Sequence, residues 1–219
     1  MDNLTIAILG GTGKEGKGLG YRWALAGHNV IIGSRLLEKA VAAAEEVLGL
    51  NAQIANIIGM ENLSAAKVAD VIVLTVPYSA HAPMCELIKD VVNSKLVIDV
   101  TVPLVPPKVS KVQMPPAGSA TMEASLILGE NVKIGAAFQN ISHEHLLTNK
   151  EILCDVLVTG NSKSTRDEII QLVESAGLKG WDAGPIENSV VVEGLTSVLI
   201  GLNKKHGVQN AGIRITGIE

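Results

Sequence analysis

Apolar residues in this chain fall in short unbroken runs separated by helix-compatible stretches. Thr5-Ile6-Ala7-Ile8-Leu9 is the first run. It ends in glycines, and helix-compatible residues follow from Lys17 to Ala26. Gly27-His28-Asn29 breaks that helix, Val30-Ile31-Ile32-Gly33 reads as a second strand, and Leu37 to Leu48 is a helix rich in Ala and Glu. The chain therefore opens on a βαβ unit. A weaker third strand is expected near Gln53 to Ile57, ahead of a short helix at Glu61-Asn62-Leu63-Ser64-Ala65-Ala66. The next strand is clear, running from Asp70 to Val76 and closed by Pro77. A helix over about Ala80 to Val92 then leads to the strand Leu96 to Val100. Buried strands alternating with helices predict an α/β fold with a doubly wound parallel sheet.

Between Pro103 and Pro116 the chain spends five of its eight prolines, which predicts an extended loop over one edge of the fold. A helix over Ala120 to Leu128 and a sixth strand over Val132 to Phe138 complete a first domain, residues 1–150. Residues 151–219 read as a small C-terminal α/β domain for substrate or dimer contacts. It has a strand at Asp155 to Thr159, a helix at Ser164 to Ala176, a short strand near Lys179 to Asp182, and an apolar helix from about Ile186 to Leu202. The run Val190-Val191-Val192-Glu193-Gly194-Leu195 is too apolar for a solvated helix face, so burial against the first domain or a second copy is expected, and a homodimer is favoured.

Composition narrows the function. With 47% hydrophobic and 18% charged residues the chain can bury a large core, while its 2% aromatic content leaves packing to Val, Ile, Leu and Ala, as suits buried parallel strands. A formal charge of -4 and few stacking side chains argue against nucleic acid as a partner. Cys85 and Cys154 stand alone in apolar stretches, without metal or redox spacing, and read as reduced interior thiols. No run is long enough to span a bilayer, and Asp2 and Asn3 do not make a signal-peptide head, so a cytoplasmic protein is expected.

The candidate chemistry begins at Gly11-Thr12-Gly13-Lys14-Glu15-Gly16, directly after a strand and opening a helix. In that setting the first glycine permits the sharp turn, the second lets backbone approach a diphosphate, and the third lets helix pack closely on strand. The anion would meet unpaired N–H groups at a helix N-terminus. A bare βα turn would use the same glycines without a ligand, but the surrounding βαβ unit favours a dinucleotide.

The end of the second strand points to which dinucleotide. An acidic residue there would bond a ribose 2′-hydroxyl; this chain has Gly33-Ser34-Arg35 instead. A hydroxyl and a guanidinium suit a 2′-phosphate, and Lys39, one turn further on, can add a second positive charge. NADP is thus favoured over NAD, though Arg35 and Lys39 would look the same as solvated residues at a helix start.

These residues, together with Leu9-Gly10-Gly11-Thr12-Gly13, Val73-Leu74-Thr75-Val76-Pro77 and Asp182-Ala183-Gly184-Pro185 followed by Asn188-Ser189 and Glu193, Leu195 and Thr196, give the chain a resemblance over nearly its whole length. It resembles the NADP-dependent reductases of coenzyme F-420 (F420), the deazaflavin hydride carrier. The resemblance implies reversible hydride transfer between NADP(H) and F420 in a cleft between a Rossmann domain and the C-terminal domain. It implies that Thr12, Gly13, Lys14 and Glu15 contact the diphosphate side, and that Ser34, Arg35 and Lys39 hold the 2′-phosphate. It further implies Val76 and Pro77 near the adenosine and ribose, Val102 and the segment Asn140 to Ser142 beside the reacting rings, and Phe138 and Thr196 among the substrate contacts. The sequence departs from the family's pattern at Phe138, where archaeal members carry histidine, and at Val190, where an arginine usually follows Asn188-Ser189.

Hydride transfer needs no acid–base pair once the carbons are held about 3 to 3.5 Å apart with water excluded. No catalytic triad is therefore expected, and the protein's task is orientation. His143 and His145 flank Glu144, a spacing that suits a solvated loop better than a metal site. Lys108 and Lys111 stand where they could meet the anionic tail of F420 or simply face water. Asp99 reads as polar lining or a helix cap. Two other functions stay open from the residues: reduction of another acceptor (a flavin, ferric iron through flavin, or an imine), which the changes at Phe138 and Val190 allow, and a non-catalytic NADP-sensing protein.

Overall fold

A computed structural model describes residues 3–148 and 150–218; Asp2, weighed above against a signal-peptide head, lies outside the described residues. The elements in chain order are β1 (Thr5–Leu9), α1 (Lys14–Leu25), β2 (Asn29–Ser34), α2 (Leu37–Leu48), β3 (Ile57–Glu61), α3 (Asn62–Val68), β4 (Val71–Leu74), α4 (His81–Ile88), β5 (Leu96–Asp99), α5 (Ala120–Leu128), β6 (Lys133–Ala136), α6 (His143–Leu146), β7 (Asp155–Gly160), α7 (Lys163–Ser175), β8 (Lys179–Pro185) and α8 (Ser189–His206). The strands form one sheet in the order β3-β2-β1-β4-β5-β6-β7-β8. Neighbours run parallel throughout, apart from the antiparallel pair β6 and β7.

The strands are apolar on both faces because helices cover both. Ile6, Ile8, Val30, Ile32, Val73 and Ile98 pack on one side with Leu19 and Trp23 of α1 and Ile169 and Leu172 of α7. Ala7, Leu9, Ile31, Ile72, Leu74 and Val97 face the other side, against Ala65 of α3, Ile88 of α4 and Ala124 of α5. Alternation at period two along each strand thus feeds two separate cores, the arrangement expected of a doubly wound sheet.

Order reverses between β1 and β4: the chain winds outward from β1 to β3, then returns to β4 on the opposite side of β1. The crevice beyond the C-terminal ends of these two strands is where such sheets take ligands. The boundary expected at residue 150 lies in the connection at which strand direction reverses from β6 to β7. Residues 151–218 then extend the same sheet through β7 and β8, while α8 returns to pack on β6, β7 and α5.

Side chains of α1 tie these parts together. Trp23 Nε1 donates to the Leu172 carbonyl of α7 at 2.9 Å. The buried Arg22 guanidinium donates to the carbonyls of His145, Leu146 and Lys150. A buried cation without a counter-ion is tolerable when carbonyls meet its donors. The last residues are pinned as well: Asp155 N–H donates to the Ile213 carbonyl, while its Oδ2 accepts from Ile215 N–H and Trp181 Nε1, each at 2.8 Å.

The proline-rich span carries no regular element between Asp99 and Ala120. The third strand begins at Ile57, four residues later than the sequence suggests, since Val30 pairs with Ile57 and the preceding residues form turns. No helix of the described residues is long and apolar enough to cross a membrane. Cys85 and Cys154 are both buried and in no disulfide.

Candidate functional site

The turn from β1 into α1 is shaped by what its residues lack. Gly10 has φ +71°, and a Cβ there would lie 2.5 Å from Val76 Cγ1. The Gly11 N–H is occupied, donating to the carbonyls of Ile8 and Gly33 at 3.2 and 3.0 Å, so Gly11 shapes the turn and offers no amide to a ligand. Gly13 is the N-cap of α1 and no side chain caps it; a Cβ there would meet nothing within 4 Å. A Cβ on Gly16 would sit 2.5 Å from Gly11 Cα, so only glycine lets helix and turn touch. The result is a helix N-terminus with its first-turn amides unclaimed by side-chain caps and an empty space in front of it, which fits an anionic diphosphate.

A cleft of about 820 Å³ runs from this turn across the ends of β1 and β2. It brings together Thr12, Ser34, Arg35, Lys39, Val76 and Pro77. Ser34 is buried, and its Oγ accepts from the Leu36 N–H at 3.3 Å. Arg35 and Lys39 are exposed, and among the described residues neither enters an ion pair. Two cations free to turn toward one mouth of the cleft fit a phosphate ester.

A second cleft of about 810 Å³ shares Val76, Pro77 and Ser79 with the first and lies over the ends of β4 and β5. Its lining is mostly apolar, with Val100, Val102, Leu104, Val105 and Val109 supplied by the segment after β5 and the proline-rich span. Glu15, the second residue of α1, reaches into this wall. Burial pushes its carboxyl up to about 8, and its Oε1 is sealed from solvent with no hydrogen-bond partner. Lys14 is exposed beside it. Lys108 and Lys111 are exposed and neither lines this cleft.

The expected substrate contacts do not gather in one place. Asn140, Ser142 and Thr196 line a separate recess of about 160 Å³ between the segment after β6 and α8. Asn140 Nδ2 donates to the Asp155 carbonyl at 2.7 Å, and Thr196 Oγ1 to the Gln139 carbonyl at 2.7 Å. Phe138 departs from the expectation: it is 1% exposed and packs edge-on against Trp23 at 5.6 Å between centroids, lining none of these cavities. Its apolar ring is drawn into the core beneath α1. Val190 is 38% exposed at the start of α8.

Several polar groups beneath the clefts escape sequence reasoning because only the fold joins them. Asp99 neither lines a cavity nor caps a helix through its side chain. It is wholly buried, with Oδ2 2.7 Å from His81 Nε2 and Oδ1 accepting from the Thr101 N–H at 2.9 Å. Burial alone would lower the His81 pKa; Asp99, with Glu193 and Glu123 further off, outweighs it and the value rises. Gln139 Nε2 donates to the Asp99 carbonyl at 2.7 Å. Asn62, the first residue of α3, accepts from the Gly10 N–H at 3.1 Å and also lines the larger cleft. An asparagine at a strand-to-helix junction was the one available signal for it.

The segment of His143 and His145 forms the short α6, which packs on α1. Among the described residues, no three His, Cys, Asp or Glu side chains come together as a metal site would require.

Comparison with known proteins bears on what these clefts hold. The family described as coenzyme F420-dependent NADP oxidoreductase matches residues 5–103. The F420-dependent NADP reductase of Methanocaldococcus jannaschii is 38% identical over 99% of this chain and 100% of its own length. That of Methanothermobacter marburgensis is also 38% identical, over 98% and 99%. Among solved structures, one from Arthrobacter sp. FB24 described as an F420-dependent NADP reductase superposes with a TM-score of 0.82 at 21% identity, covering 98% of this chain and 100% of that one. A pyrroline-5-carboxylate reductase from Coxiella burnetii shares the fold at a TM-score of 0.62 and 17% identity, over 94% of this chain and 69% of that one.

Proposed function

Since this chain belongs to the family of F420-dependent NADP reductases, we propose that the cleft across β1 and β4 holds NADP(H) and presents it to F420 for hydride transfer. The observation that carries the site assignment is the continuity of the two large clefts through Val76, Pro77 and Ser79. One end offers an uncapped helix N-terminus and two cations that enter no ion pair among the described residues; the other offers an apolar space. An NADP molecule has its charges and its reactive ring distributed in the same way.

In this reading the first-turn amides of α1 at Gly13 to Glu15, with Thr12, take the diphosphate. Ser34, Arg35 and Lys39 take the 2′-phosphate, and Val76 and Pro77 flank the adenosine and ribose. Val102 and its neighbours in the proline-rich span exclude water around the nicotinamide, which strengthens every polar contact made there. The nicotinamide and the deazaflavin supply the hydride chemistry when bound. Asn140, Ser142 and Thr196, in the separate smaller recess, are the contacts we assign to the second substrate.

Residues 151–218 serve in this account to bring Thr196 to the second substrate and to supply the face for a second copy. α8 displays Val191, Val198 and Leu202 at 66%, 49% and 42% exposure, a stripe at helical spacing with nothing packed on it. A homodimer formed through this stripe would cover it. Two buried free thiols suit a reducing compartment, and we place the enzyme in the cytoplasm.

The test is to mix purified protein with NADPH and F420, and separately with free flavins, following the absorbance of each acceptor. Loss of the deazaflavin band with NADPH, and its return with NADP and the reduced form, is the expected result. Flavin reduction without F420 reduction would overturn the choice of acceptor.

A further inference from the structure

Glu15 is oddly placed for a residue at an anion-binding helix end. Its backbone belongs to the first turn of α1, where a diphosphate is expected, yet its side chain carries an acid into the neighbouring apolar cleft. The residue is partly exposed as a whole, but Oε1 is cut off from water, without a donor facing it. An ionised carboxylate in that position would be left uncompensated among Val76, Val100 and Val102, and burial accordingly holds the group neutral up to about pH 8.

The groups around it do not supply a counter-charge. Among the described residues Tyr78 is the other titratable side chain in the cleft wall. Its hydroxyl already donates to Glu123 Oε2 at 2.8 Å, and burial and that carboxylate push it up to about 12. On α1 itself, Lys17 is paired with Glu46 of α2 and Arg22 is held by carbonyls, leaving Lys14 exposed. Of the elements packed on α1, α2 brings Glu38, Lys39 and Glu45, and α6 brings His143, Glu144 and His145; β1 and β2 bring no titratable side chain. Glu15 forms no ion pair with any of them.

Resting on the proposed NADP site, we infer that Glu15 binds the dinucleotide as an uncharged carboxylic acid, donating its O–H to an oxygen of the cofactor, so that the complex retains a proton the free enzyme loses in alkali. A neutral acid can hydrogen-bond an anion or a carboxamide oxygen. A carboxylate at the same atoms would be a like charge beside a diphosphate, with little water to screen it. Binding of the anion therefore favours the protonated form, and protonation favours binding, by linkage. No bond is made or broken beyond the uptake of one proton from solvent.

The experiment is calorimetric titration of the full chain with NADPH from pH 6.5 to 9.5, in two buffers of different ionisation enthalpy, so that heat reports protons taken up. The 2′-phosphate's own second ionisation, near pH 6 for phosphate esters, lies below this window. We expect nearly constant affinity up to about pH 8, a fall of about tenfold per pH unit above it, and uptake approaching one proton per site. Glu15→Gln, which keeps the shape and a donor, should take up no proton at pH 9 and lose the fall in affinity between pH 8 and 9.

Equal parental affinity at pH 7 and 9 without proton uptake overturns the inference while leaving the NADP reading in place, and this needs no variant. Uptake that persists undiminished in Glu15→Gln assigns the proton elsewhere and also overturns it. No binding heat at any pH would remove the NADP reading together with this one.

Discussion

Glu193 Oε1 accepts from both the N–H and the hydroxyl of Thr121, at 3.0 and 2.8 Å, while its Oε2 accepts from the Ala120 N–H at 2.7 Å. A buried acid from α8 thereby satisfies the start of α5, where Ser119 Oγ already takes the Met122 N–H. This clamp joins the last helix to the sheet half that carries β5 and the apolar cleft. Glu193→Ala leaves three buried donors without an acceptor, so a loss of about 2 to 4 kcal/mol is expected, read as a lowered urea midpoint. An unchanged midpoint would show the clamp to be idle.

Stability should also decline from about pH 4.5 to about pH 8. Burial raises Glu193 from 4.5 to about 7, with Asp99 adding to the rise and its three hydrogen bonds opposing it. Burial raises Glu15 to about 8. A group whose folded value is raised binds its proton more tightly in the native state, so its stabilisation is complete below the unfolded value and disappears as pH climbs through the folded one. His81, also raised, works in the same sense. His28, lowered by burial, acts oppositely and only toward acid. Urea midpoints taken every half unit should fall across this window, and Glu15→Gln should flatten the part above pH 7. A midpoint that rises with pH would contradict the assignment of both acids.

The last two glycines of the loop separate folding from binding. At Gly13 the backbone is ordinary, φ -76°, and a methyl group meets nothing. Gly13→Ala should therefore fold with a loss of about 1 kcal/mol or less, yet bind NADPH at least about tenfold more weakly, because the methyl occupies the approach of the diphosphate. Gly16→Ala drives a carbon to 2.5 Å from Gly11 Cα and should cost about 1 to 3 kcal/mol of stability as well as binding. Equal NADPH affinity in Gly13→Ala and the parent would place the diphosphate elsewhere.

Much of this was written locally. Ile6 to Leu9, Ile72 to Leu74 and Val97 to Ile98 announce strands buried on both faces by being apolar without interruption, and the helices at 37–48 and 120–128 end where their periodicity does. β3 was harder, because Gly59 interrupts its apolar run and Glu61 ends it; glycine is needed there since a Cβ would lie 2.3 Å from the Ala40 carbonyl carbon of α2. The parts that stayed hidden depend on residues distant in sequence. Asp99 finds its partner His81 eighteen positions away, and Phe138 turns into the core because Trp23, far earlier, offers an edge. The charge state of Glu15 likewise follows from the wall of valines around it, which no motif spacing encodes.

The stripe on α8 bears on assembly. Val191, Leu195, Val198 and Leu202 recur every three or four residues and share one face. A double change, Val191→Lys with Val198→Lys, puts two charges on that face without touching the buried Val192, Glu193 or Leu199. In sedimentation velocity the parent should run as a dimer and the variant as a monomer of about half the mass, with NADPH affinity within about threefold. A parent that sediments as a monomer at tens of micromolar would end the dimer proposal.

On the proposed NADP site, Arg35 should decide between the two dinucleotides. It follows the end of β2 directly, ahead of an α2 N-terminus that no side chain caps, in the same cleft as Ser34 and Lys39. A charge-assisted pair to a phosphate ester contributes about 1.5 to 3 kcal/mol, so Arg35→Ala should weaken NADPH about 10- to 100-fold while leaving NADH within about threefold. Lys39→Ala should act in the same direction and less strongly, since a lysine offers one flexible charge where arginine offers a planar fork. Raising salt should narrow the gap between the two dinucleotides in the parent and hardly alter it in Arg35→Ala, because screening acts on the pair that has been removed. Affinities measured by calorimetry at two ionic strengths separate these cases, and equal losses of NADPH and NADH on removing Arg35 would mean that the guanidinium holds something common to both.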